Sequence, residues 1–290
     1  MGQLRLRGAA TALVTPFKGG AVDYQAYEAL VKLQLSAGMD FIVPLGTTAE
    51  TPCLEDAEKL RLLEITRELA ADIPVVAGCG TNSLTKTVAN IRAMEPYSPD
   101  AFLVVVPYYN KPVQEGLYQY FKAVAESTDK AIVLYNVPGR TGQNMTAETT
   151  LRLAEIPNIV AVKEASGKVD QISEIIRNAP EGFSVLSGND DQTAELIRLG
   201  ADGLISVVSN MYPEKIVALV HALLEGNEEL AGRLDTLLRP LFHACFVESN
   251  PIAVKGGMSL MGLCRNELRL PLTPAAPSTL ELMREVIATL

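Results

Sequence analysis

Histidine is nearly absent from this chain: His221 and His243 are the only two in 290 residues. That disfavours a zinc site, and with it a metal-dependent aldolase or hydrolase. Cysteine is sparse too. Cys53, Cys79, Cys245 and Cys264 lack metal-binding or redox spacing, which predicts reduced thiols in a cytosolic protein. No apolar run approaches the roughly 20 residues of a membrane span. The basic start Met1-Gly2-Gln3-Leu4-Arg5-Leu6-Arg7 leads into an apolar stretch that meets Pro16 too soon for a signal peptide. Leu6 also occupies the place where a myristoylation signal needs Ser or Thr. Positive charge is in deficit. A net charge of −9 without a basic stripe argues against nucleic acid as a partner. There is no P-loop, and Gly78-Cys79-Gly80 lacks the third glycine of a dinucleotide fingerprint.

What the chain does have is apolar material for a large core, 48% of its residues, enough for one barrel or two ordinary domains. Eight β-rich apolar runs occur at 8–17, 41–46, 74–80, 101–107, 130–138, 159–165, 183–189 and 203–210. Helical spacing fills the gaps. Asp23 is placed to cap a helix bearing Ala26, Leu30 and Leu33, and Ala37-Gly38 to end it. A second helix is predicted from beyond Pro52 to about residue 70, and Pro213 fits the first turn of another. Eight strand–helix units at spacings of 20 to 33 residues match a (β/α)₈ barrel better than an open sheet. Continuous apolar runs such as Phe102-Leu103-Val104-Val105-Val106 suit strands covered on both faces. Beyond about residue 225 the pattern turns purely helical to Leu290, with breaks near Asn250-Pro251 and in the Pro271–Pro277 region. The predicted organisation is therefore a barrel over 1–224 with a helical extension over 225–290.

Lys163 lies at the C-terminal end of one such run, Ile159-Val160-Ala161-Val162-Lys163, where a charge must pair, reach water or lose its proton. From this stretch alone, a lysine pointing into solvent beside Glu164 is the simpler reading. Tyr135 changes the balance. It precedes Lys163 by 28 residues, the length of one strand–helix–strand repeat, so parallel neighbouring strands would bring both to one rim. A neutral amine beside a phenol can attack a carbonyl and exchange protons with it.

Barrel enzymes carry their chemistry at that rim. Strand ends there supply Thr47-Thr48, Tyr108-Tyr109, Arg140, Gly188 and Ile205. The paired threonines offer hydroxyl and backbone N–H groups to a carboxylate, although helix capping is an equally ordinary use. Tyr108-Tyr109 also suits a subunit contact. Arg140, behind Pro138-Gly139, can grip a carboxylate bidentately or form a surface ion pair. Asp190 and Asp191 open the helix after the seventh run, where they would repel a phosphate. A small carboxylate substrate is favoured over a sugar phosphate.

Gly46-Thr47-Thr48-Ala49-Glu50, Pro107-Tyr108-Tyr109-Asn110-Lys111-Pro112, Tyr135-Asn136-Val137-Pro138-Gly139-Arg140-Thr141-Gly142, Val162-Lys163-Glu164-Ala165 and Glu248-Ser249-Asn250-Pro251-Ile252-Ala253-Val254-Lys255 together resemble the dihydrodipicolinate synthase family over essentially the full length. The resemblance implies a barrel with a helical extension, a homotetramer built from tight dimers, and the joining of pyruvate to aspartate semialdehyde in lysine biosynthesis, with no cofactor. It assigns the Schiff base to Lys163 and proton shuttling to Tyr135. Thr47 would link Tyr135 to Tyr109 of a neighbouring subunit. Thr48 would hold the pyruvate carboxylate and Arg140 that of the aldehyde, while the Ile205 carbonyl and the Gly188 loop would line the pocket.

Two positions depart from the family's pattern. Ala49 replaces a common glycine, a small change. Members inhibited by lysine carry an acid where this chain has Lys86, and often histidines at Asp56 or Lys59. A cation at Lys86 would repel the ligand's ammonium, which predicts weak or absent feedback. Sister pyruvate lyases, acting on N-acetylneuraminate or 2-keto-3-deoxy sugar acids, share the lysine and tyrosine. Arg140 favours a carboxylate-bearing aldehyde over their polyols. A non-catalytic keto-acid binder is opposed by the joint presence of Lys163, Tyr135 and Thr47.

Overall fold

The computed structural model describes residues 4–290. Each of the eight apolar runs contains one strand: β1 Gly8–Ala12, β2 Phe41–Val43, β3 Val76–Gly78, β4 Ala101–Val105, β5 Ala131–Asn136, β6 Ile159–Glu164, β7 Ser184–Ser187 and β8 Gly203–Ser206. The strands are shorter than the runs because the residues at their C-terminal ends leave the ladder to form the rim. All pair in parallel, in the order β2-β1-β8-β7-β6-β5-β4-β3. A parallel bridge between Ile42 and Val75, with Gly78 N–H donating to Pro44 O at 2.9 Å, closes β3 onto β2. Closure leaves no unpaired edge in the eight-stranded sheet; a separate two-stranded ribbon, Phe17–Lys18 with Ala21–Val22, lies outside it. Gly78 permits the closure, since a Cβ there would sit 2.0 Å from Leu45 O.

Two apolar layers result. Inward side chains, among them Ala10, Val43, Leu103, Val133, Ala161, Leu186 and Ile205, fill the barrel. Outward ones, such as Ile132, Leu134 and Val162, pack under the surrounding helices. The first helix, Tyr24–Ser36, is capped by Asp23, whose side chain accepts from Ala26 N–H at 3.1 Å, and Gly38 follows its end at φ +81°. Its buried face is Tyr27, Leu30, Val31 and Gln34, so Ala26 and Leu33 flank the contact instead of making it. The second helix starts at Asp56, after a short turn at Thr51–Cys53, and ends at Leu69. Pro213 opens helix Pro213–Leu224.

The extension comprises helices Glu228–Ala244, Ile252–Leu260 and Pro277–Ile287. The expected break at Pro271–Pro277 is longer than anticipated, starting at residue 261, so the expectation of helix over 261–270 needs correction. Gly262 at φ +74° ends the preceding helix, and Pro271 and Pro274 lack the N–H groups needed to resume it. Helix Ile252–Leu260 is tied to the rim by a buried ion pair. Lys255 Nζ donates to Glu50 Oε1 at 2.7 Å and to Thr15 O at 2.9 Å, and both charged side chains are fully buried.

Candidate active site

Alternation along a strand decides what faces the barrel. Ala161 points inward on β6, so Lys163 does too; Val133 does so on β5, and so does Tyr135. The β5–β6 register pairs Tyr135 with Lys163, and the lysine Nζ lies 4.7 Å from the centroid of the tyrosine ring. Lys163 is 5% exposed, which settles the solvent-facing alternative against that reading. Glu164 points the other way, into a buried outer network where Asn136 Nδ2 donates to it at 2.7 Å and Ser166 N–H at 3.1 Å.

Burial lowers the Lys163 amine from the usual lysine range to about 8; the Asp190 carboxylate pushes it up and the Arg140 guanidinium pushes it down. Burial raises the Tyr135 phenol above its ordinary value, while Arg140 and a hydrogen bond with Thr47 lower it. The phenol therefore keeps its proton as the amine surrenders its own.

Thr47 and Thr48 lie in a single 3₁₀ turn, Thr47–Ala49, cut off from its surroundings by left-handed backbone at Leu45 (φ 60°) and Glu50 (φ 55°). The turn is held by Ala49 N–H donating to Gly46 O at 3.1 Å and by Thr15 Oγ1 donating to Ala49 O at 2.8 Å. Arg140 rides on the short helix Pro138–Thr141 directly after β5. Gly188 passes over the lysine stem: a Cβ there would meet Lys163 Cε at 3.0 Å and Ala165 Cβ at 2.8 Å.

These groups surround a cavity of about 50 Å³ lined by Thr47, Thr48, Tyr135, Arg140, Lys163 and Gly188, among others. A larger space of about 330 Å³ adjoins it, reaching Lys59, Thr81 and Tyr108. Gly46, Thr47, Leu103, Tyr135, Val137 and Arg140 belong to both, so they form the wall between them.

Six of the eight predicted site residues are thus brought together. Ile205 is not one of the residues lining the small cavity; its side chain is buried in the barrel interior, and Val207 lines the cavity in its place. Tyr109 stands apart, 87% exposed at φ 72°, and does not line the site of its own chain. Asp190 does open the short 3₁₀ helix Asp190–Gln192, but its side chain turns away from it. It is buried with its carboxylate turned to β8, accepting from Ser206 Oγ at 2.5 Å and Val207 N–H at 3.0 Å. Sequence reasoning missed Phe246 and Asn250, which line the cavity from the extension. Asn250 stood in the segment 248–255 that carries the family resemblance and at the Asn250-Pro251 break, but was assigned no role; Phe246 had no signal. Among the described residues no group of three or more His, Cys, Asp or Glu side chains could hold a metal, and no helix is long and apolar enough to cross a membrane.

The model of the dihydrodipicolinate synthetase family matches residues 5–290. The 4-hydroxy-tetrahydrodipicolinate synthase of Thermotoga neapolitana is 49% identical over 286 residues, covering 97% of each chain. The crystal structure of dihydrodipicolinate synthase from Thermotoga maritima superposes with a TM-score of 0.96 at 47% identity, covering 98% of both chains. The chloride-inhibited dihydrodipicolinate synthase from Acinetobacter baumannii, solved in complex with pyruvate, gives 0.95 at 40% identity, again over 98% of both. By its sequence, its barrel and its helical extension, the chain belongs to the dihydrodipicolinate synthetase family.

Proposed function

We propose that the protein is a Schiff-base lyase of the 4-hydroxy-tetrahydrodipicolinate synthase type, condensing pyruvate with L-aspartate 4-semialdehyde in the diaminopimelate route to lysine. The observation that carries this reading is a buried lysine, depressed to about 8, whose Nζ sits over a tyrosine ring in a cavity that also holds Arg140. At pH 7.5 roughly a quarter of such amines are neutral, against about a thousandth for an ordinary lysine.

The neutral Lys163 amine attacks the pyruvate ketone, and loss of water gives a protonated imine. That imine is an electron sink, so the methyl group releases a proton to form a neutral enamine. The enamine carbon bonds to the aldehyde carbon, and the aldehyde oxygen takes up a proton. The substrate's own amine then displaces Lys163, closing the ring and freeing the enzyme. Tyr135, kept protonated by burial and bonded to Thr47, moves these protons. Thr48 holds the pyruvate carboxylate, Gly188 leaves room for the lysine stem, and the Ile205 carbonyl is the remaining candidate contact. Arg140, on the wall shared with the larger space, meets the second carboxylate as the aldehyde arrives. The cycle calls on neither metal nor organic cofactor.

Tyr109, exposed in its own chain, is proposed to complete the relay in a neighbouring copy within a tetramer. The barrel of 1–224 and extension of 225–290, and a cytoplasmic location without nucleic-acid or membrane partners, belong to the same reading. Borohydride reduction with pyruvate, followed by peptide mass mapping, tests the chemistry. The label is expected on Lys163 and absent from Lys163→Ala. A coupled assay with aspartate semialdehyde, run beside neuraminate and keto-deoxy sugar acids, tests the substrate. Arg140→Ala should raise the aldehyde KM tenfold or more while pyruvate still traps, by loss of a charge-assisted pair worth about 1.5–3 kcal/mol. Unchanged aldehyde kinetics would remove Arg140 from this role.

A further inference from the structure

Asn250 lies just before helix Ile252–Leu260, yet it is 6% exposed and lines the cavity at Lys163. Two of its groups reach two different site residues. Nδ2 donates to Thr48 Oγ1 at 2.9 Å, across 202 positions of sequence. Its main-chain oxygen accepts from Arg140 Nη2 at 3.1 Å. Its Oδ1, by contrast, is buried without a hydrogen-bond partner among the described residues. An unpaired buried acceptor subtracts from stability, so folding is a poor reason for an asparagine here.

Thr48 supplies a better reason. A hydroxyl has one proton and two lone pairs. With a lone pair engaged by Asn250 Nδ2, the Thr48 proton points elsewhere and is free to donate. The turn that carries Thr48 is held from the same helix at its other end, where Lys255 grips Glu50 at 2.7 Å. The geometry points to Asn250 as a positioning residue that makes Thr48 a hydrogen-bond donor toward the carboxylate of the keto acid bound at Lys163. This rests on the Schiff-base reading of the site. It extends the active site to a residue of the C-terminal extension, acting through the polarity of one hydrogen bond.

Asn250→Ala and Asn250→Asp separate this role from packing. The aspartate matches the asparagine in shape but only accepts, so it would draw the Thr48 proton to itself and set a negative charge beside the substrate carboxylate. The pyruvate KM of Asn250→Asp is expected to exceed that of Asn250→Ala by at least about tenfold, the weight of one hydrogen bond to a charged group. A packing role predicts the reverse order, with the isosteric aspartate milder. Should Asn250→Asp not fold, a Thr48→Val background serves: there Asn250→Ala should leave the pyruvate KM within about twofold, since the hydroxyl it orients is gone. Additive effects of those two changes, or an aspartate variant no worse than the alanine, would overturn the inference while borohydride still labels Lys163 in the unaltered protein. Absence of that label overturns the underlying reading and the inference together.

Discussion

At Lys163 the balance is between burial, which strips the amine of its proton, and the Asp190 carboxylate, which restores it. Burial raises the Asp190 carboxyl above its ordinary value, while Ser206 Oγ and the Val207 N–H hold it and favour the carboxylate. The attacking species is the neutral amine. Hence kcat/KM for pyruvate should rise with pH through about 8 and fall away on the acid side, where Lys163 is protonated. Asp190→Asn removes the group that raises the lysine, so the acid limb should move to lower pH. Steady-state rates between pH 6 and 9.5, roughly the span in which such an amine titrates, measure both. An acid limb that stays put in Asp190→Asn would show that the two charges do not interact. Lys163 itself was visible in the sequence as a misplaced charge. Asp190 was visible only as an acid opening a helix, because nothing local shows that its side chain turns to the neighbouring strand.

Among the elements, the rim turn around Thr47–Ala49 stores the most unusual backbone. Among the described residues, four of the five non-glycine residues with positive φ, Leu45, Glu50, Tyr109 and Lys111, lie in the two rim loops after β2 and β4. Such conformations persist where surrounding structure over-determines them. Here the Glu50–Lys255 pair does so, with Glu50 Oε2 also accepting from Arg269 N–H at 3.0 Å. Arg269 in turn grips Glu58 through two bonds of 2.6 Å and covers the Phe17 ring at 4.6 Å. A buried pair adds little net stability, yet breaking one partner leaves the other charge stranded, at about 3–5 kcal/mol. Lys255→Met should therefore lower the thermal midpoint by several degrees, and adding Glu50→Gln should recover most of the loss. An unchanged midpoint in the single variant would show that the pair does not hold the turn. Sequence patterning marked the strands and helices well, since period and capping are local signals. It could not show this link, whose members lie 205 positions apart.

For the whole molecule, Tyr109 and Val113 are left exposed on the single chain, at 87% and 74%. If Tyr109 serves a neighbour's site, Tyr109→Phe and Lys163→Ala should complement each other. Mixed and allowed to exchange, the two poorly active proteins should regain roughly a quarter of the parent rate, because half the dimers are hybrids with one intact site. No recovery in subunits shown to exchange would place the relay within one chain. Lysine feedback is argued at the same scale. Lys86 is exposed on helix Leu84–Met94, and Lys59 pairs with Asp56 at 2.9 Å beside the larger cavity. An ammonium ligand held near Lys59 and Lys86 would meet cations, so a dose–response assay should show no inhibition at sub-millimolar lysine.

The sequence alone determined the eight strands, the pairing of Tyr135 with Lys163 and the character of the rim, because each depends on short-range period and on one repeat length. Only the tertiary structure decided that Lys163 is buried, that the Ile205 side chain lies within the barrel core and not on the cavity wall, that Tyr109 faces outward, and that Asn250 and Lys255 of the extension contact the rim turn. Those features depend on how distant segments meet once the barrel closes, and no local periodicity encodes such a meeting.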